Sequence, residues 1–141
     1  MNKIKISNAC KEDCSFIDDQ IVKYNRSKVP FSQEPDFIGI NKVIKDDQGK
    51  VIAGILAALY CWNCLYIDVL WVGDEYRNSM LGSQLLREVE EEARQKGSKL
   101  VHLDTFDFQA KDLYLKQGYS IFGELENCPD GHTRYFMSKI L

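Results

Sequence analysis

The sequence lacks any long hydrophobic run. Its longest apolar stretch, residues 51–62, is interrupted by Gly54 and is too short to cross a bilayer. Residues 3–6 alternate lysine with isoleucine and do not form the continuous apolar segment of a secretory signal. We therefore expect a cytoplasmic protein that does not bind a membrane.

An excess of charge of either sign is also absent. The chain carries 18 Lys and Arg against 21 Asp and Glu, a net charge of -3, and this balance argues against a general nucleic-acid binder. Apolar residues make up 45% of the sequence, which excludes wholesale disorder. A chain of 141 residues typically forms one domain with its own core, so we expect residues 1–141 to be a single domain.

The cysteines do not form a pattern that binds a metal or supports a disulfide framework. There are five, an odd number, and Cys61 and Cys64 form one CxxC motif without the second pair that a zinc site needs. The motif lies between two apolar runs, where we expect a hairpin turn, whereas a redox CxxC opens a helix. We therefore expect reduced, structural thiols and no metal site.

Hydrophobic spacing divides the chain into strands and helices. The predicted elements are a strand at 3–7, a helix at 9–27, strands at 37–45, 51–61 and 65–72, a helix at 80–96, a strand at 100–105, a helix at 108–117 capped by Asp107, and strands at 119–125 and 134–140. The order β-α-β-β-β-α-β-α-β-β predicts an α/β fold with a mixed sheet flanked by helices.

The helix at 80–96 has the clearest pattern. Leu81, Leu85, Val89 and Ala93 are spaced four apart and therefore lie on one face, which we expect to be buried. The acidic run at 88–92 is predicted to be a solvated face without a metal role.

The passage from strand 65–72 into this helix is the strongest candidate for chemistry. A polar loop, residues 73–80, opens the helix and contains Arg77. Unpaired N–H groups and the dipole at a helix start attract phosphate oxygens, and an arginine adds a charge-assisted contact. The spacings of a Walker loop and of a Rossmann fingerprint are both absent. From the residues alone, a plain connection with a solvated arginine is an equally good interpretation.

Two motifs resemble those of the GNAT superfamily of N-acetyltransferases. Arg77, Gly82 and residues 83–86 resemble its motif A, and residues 109–119, with Tyr114 before the Gly-Tyr pair, resemble its motif B. The element order matches as well, so the resemblance covers nearly the whole chain and implies the splayed mixed sheet of that superfamily. One position departs from it, because Met80 replaces the first glycine of the motif A loop. We expect Met80 to keep a negative φ in the first helical turn.

The resemblance implies transfer of an acetyl group from acetyl-CoA to a primary amine of a small molecule or peptide. Strand 65–72 would carry a bulge and splay from its neighbour, so that its backbone pairs with the pantetheine amides while the loop holds the pyrophosphate. The cofactor-binding residues implied are Leu70, Trp71, Val72, Arg77, Asn78, Ser79, Met80, Leu81, Gly82, Ser83 and Gln109.

Two side chains are candidates for the proton transfers. Asp68 lies two residues before Leu70 and is expected to share its strand face, from which its carboxylate would deprotonate the amine. Its alternative is a structural ion pair. Tyr114 matches the general acid of the superfamily, and its alternative is simple packing on a helix face. His132 is either a base, a substrate contact or a solvated bystander, and His102 is expected to be structural.

Other questions stay open at the level of sequence. The amine acceptor and the choice between monomer and homodimer carry no readable signal. Met80 leaves room for an alternative function, in which the chain is a catalytically weak CoA-binding sensor or assembly domain of the same fold.

Overall fold

The computed structural model describes residues 3–141, which divide into one unit ending at Phe31 and a second spanning Ser32–Leu141. The first unit contains α1 (Lys11–Lys28). A capping box between Cys10 and Asp13 forms the amino-terminal end of this helix. Residues 3–10 have no regular secondary structure, so the strand predicted at 3–7 is wrong. Its alternating pattern needs a partner strand, yet Ile4 and Ile6 are fully exposed.

The second unit is built around one mixed sheet. Its strands follow the order β1-β3-β4-β5-β7-β6, with β2 also paired to β3, and β4–β5 is the parallel pair. This arrangement confirms the predicted fold class. The elements are β1 (Phe37–Gly39), β2 (Lys42–Lys45), β3 (Val51–Tyr60), β4 (Cys64–Val72), α2 (Leu81–Gln95), β5 (Leu100–Phe106), α3 (Lys111–Lys116), β6 (Ser120–Glu126) and β7 (Thr133–Ile140).

The predicted strand 37–45 is divided into β1 and β2 by Ile40 and Asn41. The backbone N–H of Ile40 donates to Ala57, and the Ala57 N–H donates to the Asn41 side-chain oxygen at 3.1 Å. A side chain therefore replaces a backbone carbonyl in the ladder at this point, and the strand is interrupted.

The third helix is shorter than the prediction and begins differently. Asp107 does not cap it, since the Asp107 carboxylate accepts the Thr133 N–H at 2.9 Å across to β7. Gln109 instead closes the preceding turn, because its side-chain oxygen accepts the Phe106 N–H at 2.9 Å. The helix starts only after these bonds, at Lys111.

The core lies between α2 and the sheet. Leu85, Leu86, Val89 and Ala93 of α2 are buried, which confirms the predicted face, and they pack with buried residues of β3, β4 and β5. Cys61 lies in the turn between the antiparallel strands β3 and β4, which confirms the hairpin turn predicted at the CxxC motif. Among residues 3–141, no helix has the length and apolar character that a membrane crossing requires.

Glu90 corrects the prediction that the run 88–92 is solvated throughout. Its side chain is 2% exposed, and its carboxylate accepts the Tyr119 O–H at 2.6 Å and the Lys139 ammonium at 2.9 Å. Burial, followed by the bond to Glu90, raises the pKa of the Tyr119 phenol, which therefore remains a donor. This carboxylate ties α2 to the carboxyl-terminal part of the sheet.

We expect Glu90→Gln to lower the free energy of unfolding by about 1–3 kcal/mol, because it leaves the Lys139 ammonium without its carboxylate. Urea denaturation measures the loss. The matched control is Glu88→Gln, an exposed position on the same helix, which should change stability by less than about 0.5 kcal/mol. Equal losses in the two variants would contradict a structural role for Glu90.

Candidate active site

The parallel pairing of β4 with β5 stops halfway along both strands. The paired residues run from Cys64 opposite Leu100 to Ile67 opposite Leu103, after which β4 continues to Val72 and β5 to Phe106. We call the wedge between residues 68–72 and 104–106 the fork. Along the fork the facing backbone edges do not pair with each other, so they can bind an extended molecule.

A β-bulge at Asp68 begins the fork. Leu56 of β3 faces Val69 and its neighbour Ala57 faces Ile67, so Asp68 is the extra residue. Leu70 consequently lies on the core side with Ile67, whereas Asp68 is exposed. The predicted bulge is confirmed, but the prediction that Asp68 shares the face of Leu70 is wrong, because the bulge interrupts the two-residue alternation.

The carboxyl end of β4 leads into the start of α2. A short 3-10 turn, Asp74–Tyr76, follows the strand, and α2 begins at Leu81 with no side chain capping it. Its first N–H groups therefore have no side-chain acceptor within the described residues, as an anion site requires. The strand β4, which forms one side of the fork, leads through this turn directly into the start of α2.

Met80 has a left-handed backbone at the N-cap, with φ of 69°, and Asn78 has φ of 63°. The prediction of a negative φ for Met80 is therefore wrong. The loop needs a left-handed residue at this point, a conformation that glycine adopts without steric cost. The Met80 side chain is 63% exposed and does not pack against the core.

Gly82 allows the start of α2 to lie directly against the fork. A Cβ at this position would be 3.3 Å from Leu113 of α3, 3.7 Å from Val72 and 3.9 Å from Leu70. Any larger side chain would push α2 away from β4 and α3. The glycine therefore brings the helix N–H groups and the unpaired strand edge into one cleft.

The other loop side chains make bonds within the protein. Arg77 pairs with Asp74 at 2.9 Å and donates to the Val72 carbonyl at 3.3 Å, and most of its side chain remains exposed. Ser79 donates to the Tyr76 carbonyl. Ser83 is buried and accepts a bond from Gln117 at 3.3 Å. These bonds fix the loop, so contacts with a ligand would come mainly from its backbone.

Tyr114 of α3 is 5% exposed, with its ring edge-on to Tyr119 at 5.5 Å between centroids. Its hydroxyl has no hydrogen-bond partner within residues 3–141. Every fully buried side-chain N or O atom among these residues does have such a partner. The hydroxyl therefore reaches solvent. Burial, and then the charge of Asp104, raise the pKa of Tyr114 to about 12, so the phenol is protonated at neutral pH.

Sequence reasoning missed a polar cluster on the opposite face of the sheet. Asp104, the first residue of β5 beyond the last β4 pair, accepts the Tyr66 O–H at 2.9 Å and the Arg134 Nε–H at 2.9 Å. The available signal was the one used for Asp68, an acidic residue inside an apolar strand.

The two histidines have local partners. The ring of His132 bonds to Asp107, with 2.8 Å between Nδ1 and Oδ1, and lies edge-on to Phe108 at 5.2 Å between centroids. His102 shares a hydrogen bond of 2.8 Å with the Tyr60 hydroxyl, and burial lowers its pKa, so it is neutral at pH 7. Its position fits the structural role expected for it.

The chain is similar in sequence and in structure to known acetyltransferases. The model of the acetyltransferase (GNAT) family matches residues 6–119. Blasticidin-S acetyltransferase of Streptomyces morookaense is 31% identical over 67% of this chain and 70% of its own, and acetyltransferase Atu2258 of Agrobacterium fabrum is 28% identical over 99% and 98%. A crystal structure of an acetyltransferase from Bacillus cereus has a TM-score of 0.88 and 34% identity, covering 98% of both chains.

We expect Met80→Gly to raise the free energy of unfolding by up to about 1 kcal/mol, because glycine removes the steric cost of a left-handed residue. Chemical denaturation measures the change. Asn78→Gly is the matched control and should gain less, since asparagine tolerates this conformation. A less stable Met80→Gly protein would show that the methionine backbone is not strained.

Proposed function

We propose that this chain, which belongs to the acetyltransferase (GNAT) family, transfers the acetyl group of acetyl-CoA to a primary amine of a small molecule or peptide. We propose further that it acts as a monomer or homodimer. The observation that carries the proposal is the fork. An unpaired strand edge lies beside an uncapped helix start, with Gly82 holding the two together.

The geometry of the cleft supports acetyl-CoA as the cosubstrate. The backbone of Leu70, Trp71 and Val72 borders the fork, where it can pair with the pantetheine amides as a strand pairs with a sheet edge. The N–H groups of residues 77–82 can receive the pyrophosphate, with Arg77 at the rim. Asn78, Ser79, Leu81, Ser83 and Gln109 shape this loop and the start of α3.

Acetyl-CoA supplies a thioester whose carbonyl carbon the amine attacks. A backbone N–H of residues 70–72 can stabilise the negative charge that develops on the carbonyl oxygen. Asp68 is the proposed base. It is exposed at the mouth of the fork, and within the described chain it has no hydrogen bond or ion pair, so its carboxylate can take a proton from the incoming ammonium directly or through water.

Tyr114 is the proposed acid. Its phenol keeps its proton at neutral pH and its hydroxyl reaches solvent, so it can protonate the departing thiolate. The burial of the ring does not conflict with this role, because packing against Tyr119 fixes the direction in which the hydroxyl points. Both interpretations of this residue are thus compatible with one geometry.

The acceptor is proposed to be a cationic small molecule. One relative is named for its action on the antibiotic blasticidin S, and the net charge of this chain is -3, which favours cations. The alternative, a CoA-binding sensor, rests on the strained Met80 in the phosphate loop. Turnover distinguishes the two.

The test combines cofactor binding with an acceptor panel. Acetyl-CoA at about 100 times its Kd should stabilise the protein by about 2.7 kcal/mol, seen as a rise in Tm. The panel contains blasticidin S, spermidine, tyramine and a peptide with a free amino terminus, and release of the CoA thiol measures turnover. Binding without turnover of any panel amine would favour the sensor, and absence of binding would overturn both.

We expect Tyr114→Phe to slow the chemical step about a hundredfold, because the ring is kept and only the proton donor is lost. Single-turnover rates with the best panel amine measure this step, and the Kd for acetyl-CoA should stay within about twofold. Tyr119→Phe is the matched control, because the Tyr119 hydroxyl donates to Glu90. This variant should be less stable but should keep the single-turnover rate of the wild type. Unchanged chemistry in Tyr114→Phe would remove Tyr114 from the mechanism.

A further inference from the structure

Two aspartates follow the last β4–β5 pair, one on each strand, where the fork opens. Ile67 and Leu103 are the last paired residues of β4 and β5, so the next residue on each strand, Asp68 and Asp104, begins the two sides of the wedge. The pKa of the Tyr66 phenol is raised by burial first, then by Asp104 and then by Asp68, so both carboxylates affect this residue. From the sequence, only Asp68 of these two is expected to take part in proton transfer.

We propose that Asp104 binds the ammonium group of the acceptor and places it at the fork for deprotonation by Asp68. This inference rests on the proposed function and specifies its acceptor side. It predicts that the acceptor binds as a protonated primary amine, on the sheet face that carries Tyr66 and Arg134, opposite the face that carries Tyr114.

The bonds of Asp104 suit it to binding rather than to proton transfer. Its Oδ1 accepts from Nε and Nη2 of Arg134, and its Oδ2 accepts from Tyr66. A carboxylate has about four acceptor sites, so one remains on Oδ2 for an ammonium N–H. Three donors hold the Asp104 carboxylate in place, whereas Asp68 makes no hydrogen bond or ion pair within the described residues.

The supports of Asp104 are themselves fixed. The Arg134 guanidinium carbon lies 5.3 Å from the ring centre of Phe106 and 5.5 Å from that of Phe136. The Tyr66 ring lies against His102, with centroids 5.1 Å apart. The Asp104 side chain is 17% exposed, so its carboxylate is oriented before any ligand arrives.

The charged side chains Asp68, Asp104 and Arg134 at the fork together carry one net negative charge. Asp68 and Asp104 each contribute one negative charge and Arg134 one positive charge, while Tyr66 and His102 are neutral at pH 7. A single ammonium completes this balance. The buried Tyr114, whose hydroxyl has no partner among the described residues, senses the Asp104 charge from the other face. The charge of Asp104 therefore acts on the proposed acid as well as on Tyr66.

The test uses Asp104→Asn, which keeps the size of the side chain and removes its charge. With the best wild-type amine of the panel named above, we expect the KM for the amine to rise about 30-fold, while the Kd for acetyl-CoA changes by less than about twofold. Tyr66→Phe, which removes one support, should raise the same KM about fivefold and provides a second reading should Asp104→Asn not fold. Asp68→Asn should act mainly on kcat.

Glu90→Gln is the matched structural control. Glu90 is also held by a tyrosine hydroxyl and a cation, but away from the fork, so its loss should lower Tm and leave the KM for the amine unchanged. An unchanged KM in folded Asp104→Asn or Tyr66→Phe, with an active wild type, would overturn the role of Asp104 alone. Absence of turnover in the wild type would overturn it together with the proposed function.

Discussion

Four parallel residue pairs between β4 and β5 hold the two halves of the sheet together, and the rest of the molecule depends on where they end. On one side β1, β2, β3 and β4 are joined by antiparallel pairing, and on the other β5, β7 and β6. A longer ladder would give a continuous sheet without a cleft. A shorter one would leave the halves linked mainly by α2, whose buried face spans them.

The cleft exists because two unrelated backbone features meet at one end of this ladder. The bulge in the β3–β4 pairing lies at the residue where the pairing of β4 with β5 has just ended, and the left-handed residues at 78 and 80 lead the chain into α2. Each feature costs local stability. Together they present unpaired strand groups and unpaired helix groups to the same space, which no regular strand–helix connection does.

The sequence predicted the parts of this arrangement that depend on periodicity. The buried face of α2 and the strands around it follow from apolar spacing, and the motif resemblance pointed to Gly82, which lies against Leu113 and Val72, while the role of Tyr114 stays a prediction. It did not predict features set by a single backbone torsion or by a pairing partner. The face of Asp68 depends on one extra residue, the φ of Met80 on the whole loop, and the network of Asp104 on Arg134, thirty positions along the chain. The prediction of a solvated Glu90 is wrong because its partners, Tyr119 and Lys139, lie outside α2.

The bulge also affects which sequence changes such a protein can accept during evolution. Without Asp68, Ile67, Val69 and Leu70 would already follow the inward, outward, inward order of a regular strand. The core therefore does not need residue 68, and its identity can change without repacking the interior. Loss of that one codon would be a different event. We expect it to extend the ladder with β5 past residue 67 and to replace the open cleft by a closed sheet with an intact hydrophobic core.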